Sequence, residues 1–363
     1  MNRLELDLLS CLGQDPLAPN VELSRSLETS RESVAKLIEH LKKEGHLEGI
    51  SAQLNYSRVG LEMVACMLRC DADAWPFLEQ MCLAHPYTRY RIRCLGPFNA
   101  LFTLFAIPPG CIGLLLELFE NLVDQRRLHS YDLHIPIANL AVSETDFRRY
   151  TPDRGWVFDW LSWEENWDRR PPSLDAALPS ILNRLDSGDI RILQEISGDI
   201  LRTQSEIAKD AKVSESKVSR RLPMYQNERI ISSYRLRVGE FLTGLASAVL
   251  FRCKSNFVVV KTIAAALTKL PFQCTLIPET QGFLLYATLP SLDIPIVISI
   301  LKKHCSSVET FWCDYRSSYR WALDSDSFGA GNWKSGYDYM VHDVLRRLGT
   351  KSLTTDDQER RGN

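Results

Sequence analysis

The side chains of this sequence best suited to chemistry are basic. In the stretch SESKVSRRL, Ser214 is followed by Lys217, Arg220 and Arg221, about one helical turn apart on the side opposite Val218 and Leu222, and Arg229, Arg235 and Arg237 come next. Ammonium and guanidinium groups in such a row can bond phosphate oxygens or base edges. Near the start of the chain Ser30, Arg31, Ser33 and Lys36 occupy an equivalent stretch, with Lys42 and Lys43 at its end but Glu32, Glu39 and Glu48 interleaved. Residues 1–54 hold six Lys or Arg against nine Asp or Glu, and residues 185–238 hold ten against eight. The second stretch is therefore the expected reader of double-stranded DNA, with the first as its weaker partner.

Other chemistries lack their residues. The ten cysteines form no C-x-x-C pair and the seven histidines no H-x-x-x-H or H-E-x-x-H pattern, so no metal site is expected. No glycine-rich phosphate loop, dinucleotide fingerprint or nucleophile elbow occurs, which leaves no catalytic residue and no cofactor to assign from motifs. The formal net charge of -2 means that any nucleic-acid binding must come from local charge. No apolar run has the length of a membrane span, and the acids in MNRLELDLLSCLGQD argue against a signal peptide, so a cytoplasmic protein with no membrane contact is expected.

The elements that would position these side chains emerge from an internal repeat. Placing Asp189 on Glu5 and sliding without gaps aligns Ile192 with Leu8, Ile196 with Leu12, Ile207 with Leu23, Ser214 with Ser30, Val218 with Val34 and Ile231 with Leu47, all at an offset of 184. Keeping apolar positions in register over about fifty residues points to a tandem duplication. Each copy opens with a helix (Leu4 to Leu12 in the first). A Pro-containing turn leads to a second short helix, and a third opens at Ser30 or Ser214, a residue type whose oxygen accepts from a free first-turn amide. Thr203 and Glu206 form a capping box ahead of the second helix of the second copy. Leu47, Ile50 and Leu54 then suit a β-wing, giving a winged helix-turn-helix twice. Pro223 inside the third helix of the second copy is expected to bend it.

Downstream, the apolar pattern predicts strand 61–68, helix 75–83, strands 87–94 and 101–107, helix 114–122 and strand 128–135. The same βαββαβ order is predicted again at 245–251, 258–270, 272–277, 283–289, 294–301 and 308–312, the ferredoxin-like arrangement. The fold class is thus α+β, with winged helix-turn-helix domains at 1–54 and 185–238 and α+β domains at 55–140 and 239–320. Residues 141–184 form a Trp-rich helix and linker: Trp156, Trp160, Trp163 and Trp167, spaced four, three and four apart, are expected to line one helix face against the first α+β domain. Residues 321–363 are a C-terminal extension whose polar tail after Gly349 is expected to be disordered.

The stretches NVELSRSLETSRESVAKLIEHLKKEGHLEGISAQLNYSRVG and SEIAKDAKVSESKVSRRLPMYQNERIISSYRLRVG, each followed by βαββαβ, resemble the Lrp/AsnC family of transcription regulators over about 1–140 and 185–320. The resemblance implies a sequence-specific DNA-binding regulator, not an enzyme, whose α+β domains pair. One chain could then be its own pseudo-dimer, or dimerise further through equivalent copies. It also implies a small-molecule effector near the loop between the second and third strands, here Gly96-Pro97-Phe98-Asn99 and Glu279-Thr280-Gln281-Gly282. Gly96, Asn99, Gln281 and Gly282 are the effector-site candidates.

Two alternatives stand beside this reading. Siroheme decarboxylases are similar in architecture and occur as fused pairs, and His85-Pro86-Tyr87 with Arg89, followed by Phe98-Asn99, resembles their His, Tyr and Arg signature. The second copy has Leu270-Pro271-Phe272 at the corresponding place. The acidic first motif also suits a protein-interaction module.

Overall fold

The computed structural model describes residues 2–151, 153–239 and 247–349. The chain opens with α1 (Arg3–Gln14), α2 (Asn20–Ser26), α3 (Arg31–Lys43) and strand β1 (Leu47–Leu54). Then come β2 (Glu62–Arg69), α4 (Trp75–Ala84), β3 (Thr88–Leu95), β4 (Ala100–Ile107), α5 (Ile112–Asp124) and β5 (Ser130–His134). A connecting stretch holds β6 (Ala141–Ser143), the small hairpin β7 (Tyr150–Thr151) and β8 (Gly155–Trp156), and α6 (Trp160–Glu165). Three more helices and a strand follow: α7 (Ser187–Gly198), α8 (Gln204–Asp210), α9 (Glu215–Asn227) and β9 (Ile231–Val238). Next are β10 (Ser247–Lys254), α10 (Phe257–Leu267), β11 (Cys274–Glu279), β12 (Gly282–Leu289), α11 (Ile294–His304) and β13 (Ser307–Arg320). The last elements are the hairpin β14 (Phe328–Gly329) and β15 (Asn332–Trp333), a π-helical turn Asp338–His342 and α12 (Asp343–Arg347).

Local chemistry explains where the helices start. Asn2 accepts from the Glu5 amide while Glu5 reaches back to the Asn2 amide, and Thr203 and Glu206 do the same for α8. Ser30 and Ser214 accept from the amides of Ser33 and Lys217. Each such cap is worth about 1 kcal/mol. Helix α9 runs on through Pro223. Apolar periodicity sets the buried faces, as in α1, where Leu6, Leu8, Leu9 and Leu12 lie inside. Among the described residues no helix is long and apolar enough to cross a membrane. The polar tail after Gly349 lies outside the described residues, apart from Gly349 itself.

The described residues divide into two compact units, those within 2–55, 136–177 and 195–313 in one, and those within 56–135, 178–194 and 314–349 in the other. In the first unit β1 and β9 pair antiparallel along their length, Leu47 opposite Val238 and Leu54 opposite Ile231. The same unit holds a sheet in the order β10-β12-β11-β6, with the first half of β13 on the outer edge of β10. Its core is formed by residues such as Val249, Phe251, Ile263, Leu267, Phe283 and Leu301. The second unit holds the sheet β5-β2-β4-β3, with the second half of β13 beside β3. Strand β13 has 14 residues, far beyond the expected 308–312.

The tryptophan stretch departs from expectation. Only Trp160 to Glu165 is helical; Trp156 sits in β8 and Trp167 lies beyond α6. The aromatic cluster packs on the β10–β13 domain rather than on the first α+β domain. Trp160 stacks on Phe272 with centroids 5.5 Å apart and donates its indole N–H to Asp293, while Trp163 donates to the Ala266 carbonyl. Phe272 lies at the mouth of the β11 strand, where the partner face is apolar and the two indole N–H groups still find acceptors.

The described part of the C-terminal extension repeats the form of this stretch. Asp146 caps a 3-10 turn, Phe147–Arg149, that leads into β7 and β8 and ends on Trp156. Asp324 caps the turn Ser325–Ser327, leading into β14 and β15 and ending on Trp333. The sequence similarity is confined to an aspartate, an aromatic and a tryptophan, too sparse for the 184-residue comparison to extend this far.

Replacing Trp160, 4% exposed, with Ala should cost about 3–5 kcal/mol through the cavity left against Phe272. Leu161→Ala, on the same helix but 61% exposed, should change stability by no more than about 0.5 kcal/mol. Urea melts of the two variants measure both; equal losses would show that the indole stack is not what anchors the segment.

Candidate active site

A cluster of buried polar side chains gathers where α4 ends and β3 begins. His85 is the C-cap of α4, its amide bonded to the Met81 carbonyl, and Pro86 and Tyr87 then turn the chain into β3, which begins at Thr88. The register of β3 with β4 is irregular between Thr88 and Tyr90, so Arg89 sits at a bulge. His85, Tyr87, Thr88 and Arg89 are all buried. The His85 ring lies edge-on to Phe105 at 5.1 Å, and Tyr87 lies edge-on to Trp333 and Tyr339.

The hydrogen bonds of this cluster are incomplete. Arg89 donates from Nη1 to the carbonyls of Thr88, at 3.0 Å, and Ala322, at 2.8 Å, but its Nε and Nη2 have no partner. His85 accepts at Nδ1 from the Tyr87 amide and leaves Nε2 unpaired. Tyr87 donates its phenol to the Lys334 carbonyl. Among the described residues no carboxylate is ion-paired with Arg89. A buried guanidinium with idle N–H groups is costly unless an acceptor, best a negative one, completes it.

Burial dictates the protonation states. It pushes the His85 imidazole down to about 3, with the positive Arg89 adding to the effect, so the ring is neutral at ordinary pH. Burial raises the Tyr87 phenol, and Tyr339 and Asp324 add to this, so the hydroxyl keeps its proton. Burial lowers Arg89, opposed by Tyr56, Asp324 and Tyr87. The cluster therefore presents one cation, one neutral imidazole and one protonated phenol.

The corresponding place before β11 is filled differently. Leu270, Phe272 and Cys274 stand where His85, Tyr87 and Arg89 stand before β3. Trp156, Phe158 and Trp160 close on Phe272 at 5.3, 5.6 and 5.5 Å. Cys274 is fully buried, and that burial pushes its thiol up to about 12. This site offers no cation for an anion, and its one idle donor is the neutral indole N–H of Trp156.

The basic residues singled out from the sequence lie elsewhere. Ser30 and Ser214 serve as helix caps; Arg31, Ser33, Lys36 and Arg220 are exposed, and Lys217 and Arg221 half-buried, on α3 and α9. Arg235 pairs with Glu144 at 3.5 Å and bonds Thr275, and Arg237 donates to the Glu48 carbonyl. Gly96 is exposed in the β3–β4 turn, and the Asn99 carbonyl accepts from the Cys70 amide. Gln281 accepts from the Ser255 amide; Gly282 has φ +151°, and a Cβ there would meet the Cys253 carbonyl at 2.0 Å. Gly282 is thus required for close approach of β10. The two turns fall in separate units. No group of metal-ligating side chains occurs among the described residues.

Comparison with known proteins locates the chain by fold. No protein-family model matches it, and no curated protein matches it in sequence. Among solved structures it is similar to the siroheme decarboxylase NirDL, with TM-score 0.56 and 13% identity over 95% of this chain and 98% of that one. The same enzyme in complex with an iron-uroporphyrin III analogue gives 0.55 and 14% over 95% and 99%. The AsnC family regulator from Agrobacterium tumefaciens gives TM-score 0.33 and 12% identity, covering 38% of this chain and 92% of that one.

These findings correct the regulator expected from the sequence and the inference that the chain is not an enzyme: the likeness that runs the whole length is to an enzyme. The structure supplies a physical reason for the misreading. The strands read as free wings are consumed in pairing with each other, and Arg235 and Arg237 are spent on protein acceptors rather than left for phosphates.

The neutral state of His85 has a pH signature. Its proton is bound in the unfolded chain below about pH 6.5 but in the folded chain only below about 3. Its contribution to stability is complete above pH 6.5 and is lost progressively as pH falls toward 3, because the unfolded state then binds the extra proton. Urea midpoints of the native chain should drop more steeply between pH 6.5 and 4 than those of His85→Gln. Parallel profiles would place the acid sensitivity elsewhere.

Proposed function

We propose that this chain is a decarboxylase of an iron tetrapyrrole, siroheme or a close relative, and that the buried cluster of His85, Tyr87 and Arg89 is its active site. The observation that carries the reading is the set of idle buried donors on Arg89 and His85, which ask for a carboxylate. The whole-length fold likeness to NirDL supports it, as does the resemblance of His85, Tyr87 and Arg89 to the decarboxylase signature. We further read the chain as a tandem duplication of a winged helix-turn-helix and an α+β domain. In this reading the helical motifs serve as scaffold, and only the first α+β domain keeps the chemistry.

The reaction converts a side-chain acetate, R–CH2–COO⁻, and a proton into R–CH3 and CO2. Breaking the C–C bond leaves an electron pair on the methylene carbon, which must receive the proton. Arg89 holds a substrate carboxylate by charge-assisted bonds from Nε and Nη2. Tyr87, kept protonated by its surroundings, supplies the proton and regains one from water after turnover, while neutral His85 donates a hydrogen bond from Nε2 to the substrate. Exclusion of water strengthens each of these interactions.

Incubation with siroheme should release CO2 and lower the tetrapyrrole mass by one carboxyl, with one tetrapyrrole bound per chain because the site before β11 is filled by tryptophan. Tyr87→Phe should lower kcat by about 10²-fold while KM changes little. Arg89→Met should raise KM by roughly 10- to 100-fold, the worth of a charged hydrogen bond. Binding of siroheme with no carboxyl loss, or full activity in both variants, would exclude the assignment.

A further inference from the structure

The cluster is roofed by the C-terminal extension, and the roof holds the Tyr87 hydroxyl and the Arg89 Nη1 that lie beside the idle donors. Four hydrogen bonds fasten it. Arg89 Nη1 donates to the Ala322 carbonyl, the Trp321 amide donates to the Arg89 carbonyl at 3.0 Å, Tyr87 donates to the Lys334 carbonyl, and Trp333 Nε1 donates to the Val59 carbonyl at 2.7 Å. Trp333 and Tyr339 lean edge-on against Tyr87. Inside the roof, Ser327 links the Asp324 carboxylate to the Tyr339 hydroxyl, and the Lys334 amide donates to the Ser327 carbonyl at 2.8 Å.

This roof is both firmly made and mismatched to what it covers. Every acceptor it offers Arg89 and Tyr87 is a neutral backbone carbonyl, while Arg89 Nε and Nη2 and His85 Nε2 find none. A carboxylate would complete the guanidinium with bonds roughly twice as strong as neutral ones. With His85, Tyr87 and Arg89 all buried, no ligand reaches those atoms while the roof is in place. The extension also carries its own bends: Ala330, Gly331 and Gly336 have φ of +51°, +80° and +109°, which places turns on either side of Asn332 to Ser335. Beyond them Met340, Val341, Val344 and Leu345 are buried and hold the far end.

Resting on the reading of this cluster as the active site, we propose that residues 321–336 form a displaceable cover. An incoming substrate carboxylate bonds the idle Nε and Nη2 of Arg89 beneath the cover and takes the Tyr87 hydroxyl from the Lys334 carbonyl, and so releases the cover from the site. The end of the chain thereby gates a site formed some 230 residues earlier, counting from Arg89 to Ala322.

Amide hydrogen exchange of the full chain, alone and saturated with iron-uroporphyrin III, tests this. Exchange at the amides of Trp321 and Lys334 should rise when the probe binds, and the amides of 341–347 should stay protected. Trp333→Phe, which keeps the ring but loses the bond to Val59, should speed probe association by about tenfold, the worth of one hydrogen bond. If the probe binds, Arg89→Met weakens it and exchange at Trp321 and Lys334 is unchanged or falls, the cover is refuted and the site stands. Absence of probe binding refutes both. Should Trp333→Phe fail to fold, the exchange measurement on the native chain still decides.

Discussion

Burying Arg89 without a carboxylate beside it is the constraint around which one end of this protein is organised. A guanidinium cannot shed its proton in a protein, so a buried one must be fed acceptors. Here the polypeptide supplies one from the neighbouring Thr88 carbonyl and one from far along the chain, the Ala322 carbonyl. That need is met by residues 321–336, which bring the acceptors, and Trp333 among them finds its own acceptor in Val59. It also explains why the neighbouring imidazole is neutral, since a second cation in the same enclosure would add repulsion to desolvation.

The position before β11 shows what happens when the constraint is lifted. With Cys274 in the arginine's place and Phe272 in the tyrosine's, no buried charge remains to be satisfied, and apolar packing decides the geometry. Trp160 lies flat on Phe272, within 10° of parallel, and Trp163 closes the flank. The same kind of segment, an aspartate-capped turn and small hairpin ending on a tryptophan, closes an α+β sheet in both places. Over a polar cluster it serves as a roof with exchangeable hydrogen bonds, and over an apolar one it becomes part of the core.

Much of the framework was legible because it rests on local physics. Ser30, Ser214 and the Thr203–Glu206 box start helices for reasons of backbone satisfaction that hold in any context, and the apolar periods place α4, α5, α10 and β2 to within two or three residues. What was not legible depends on partners distant in sequence. Strand β13 reads as polar after Cys313, yet it stays extended through Arg320 because β3 lies beside it and Ser317 meets the Arg93 amide. His85, Tyr87 and Arg89 were visible as a pattern, but their burial and their idle donors depend on Ala322 and Lys334, which no spacing rule connects to them.

Two of the basic residues, Arg235 and Arg237, have partners that the sequence does not reveal, for a related reason. A count of Lys and Arg treats each as a surface charge available to a polyanion, whereas an arginine next to a strand is as often a packing residue with a fixed partner. Arg235, 12% exposed in its side chain, faces Glu144, and Arg237 reaches the backbone of β1 because β1 and β9 are hydrogen-bonded neighbours. A wing that reads DNA must keep its edge and tip open to solvent. Once Leu47 to Leu54 has Ile231 to Val238 as its antiparallel partner, those backbone donors are spent on the ladder, and the charges carried by β9 are aimed by that ladder's pleat rather than by the groove of a duplex.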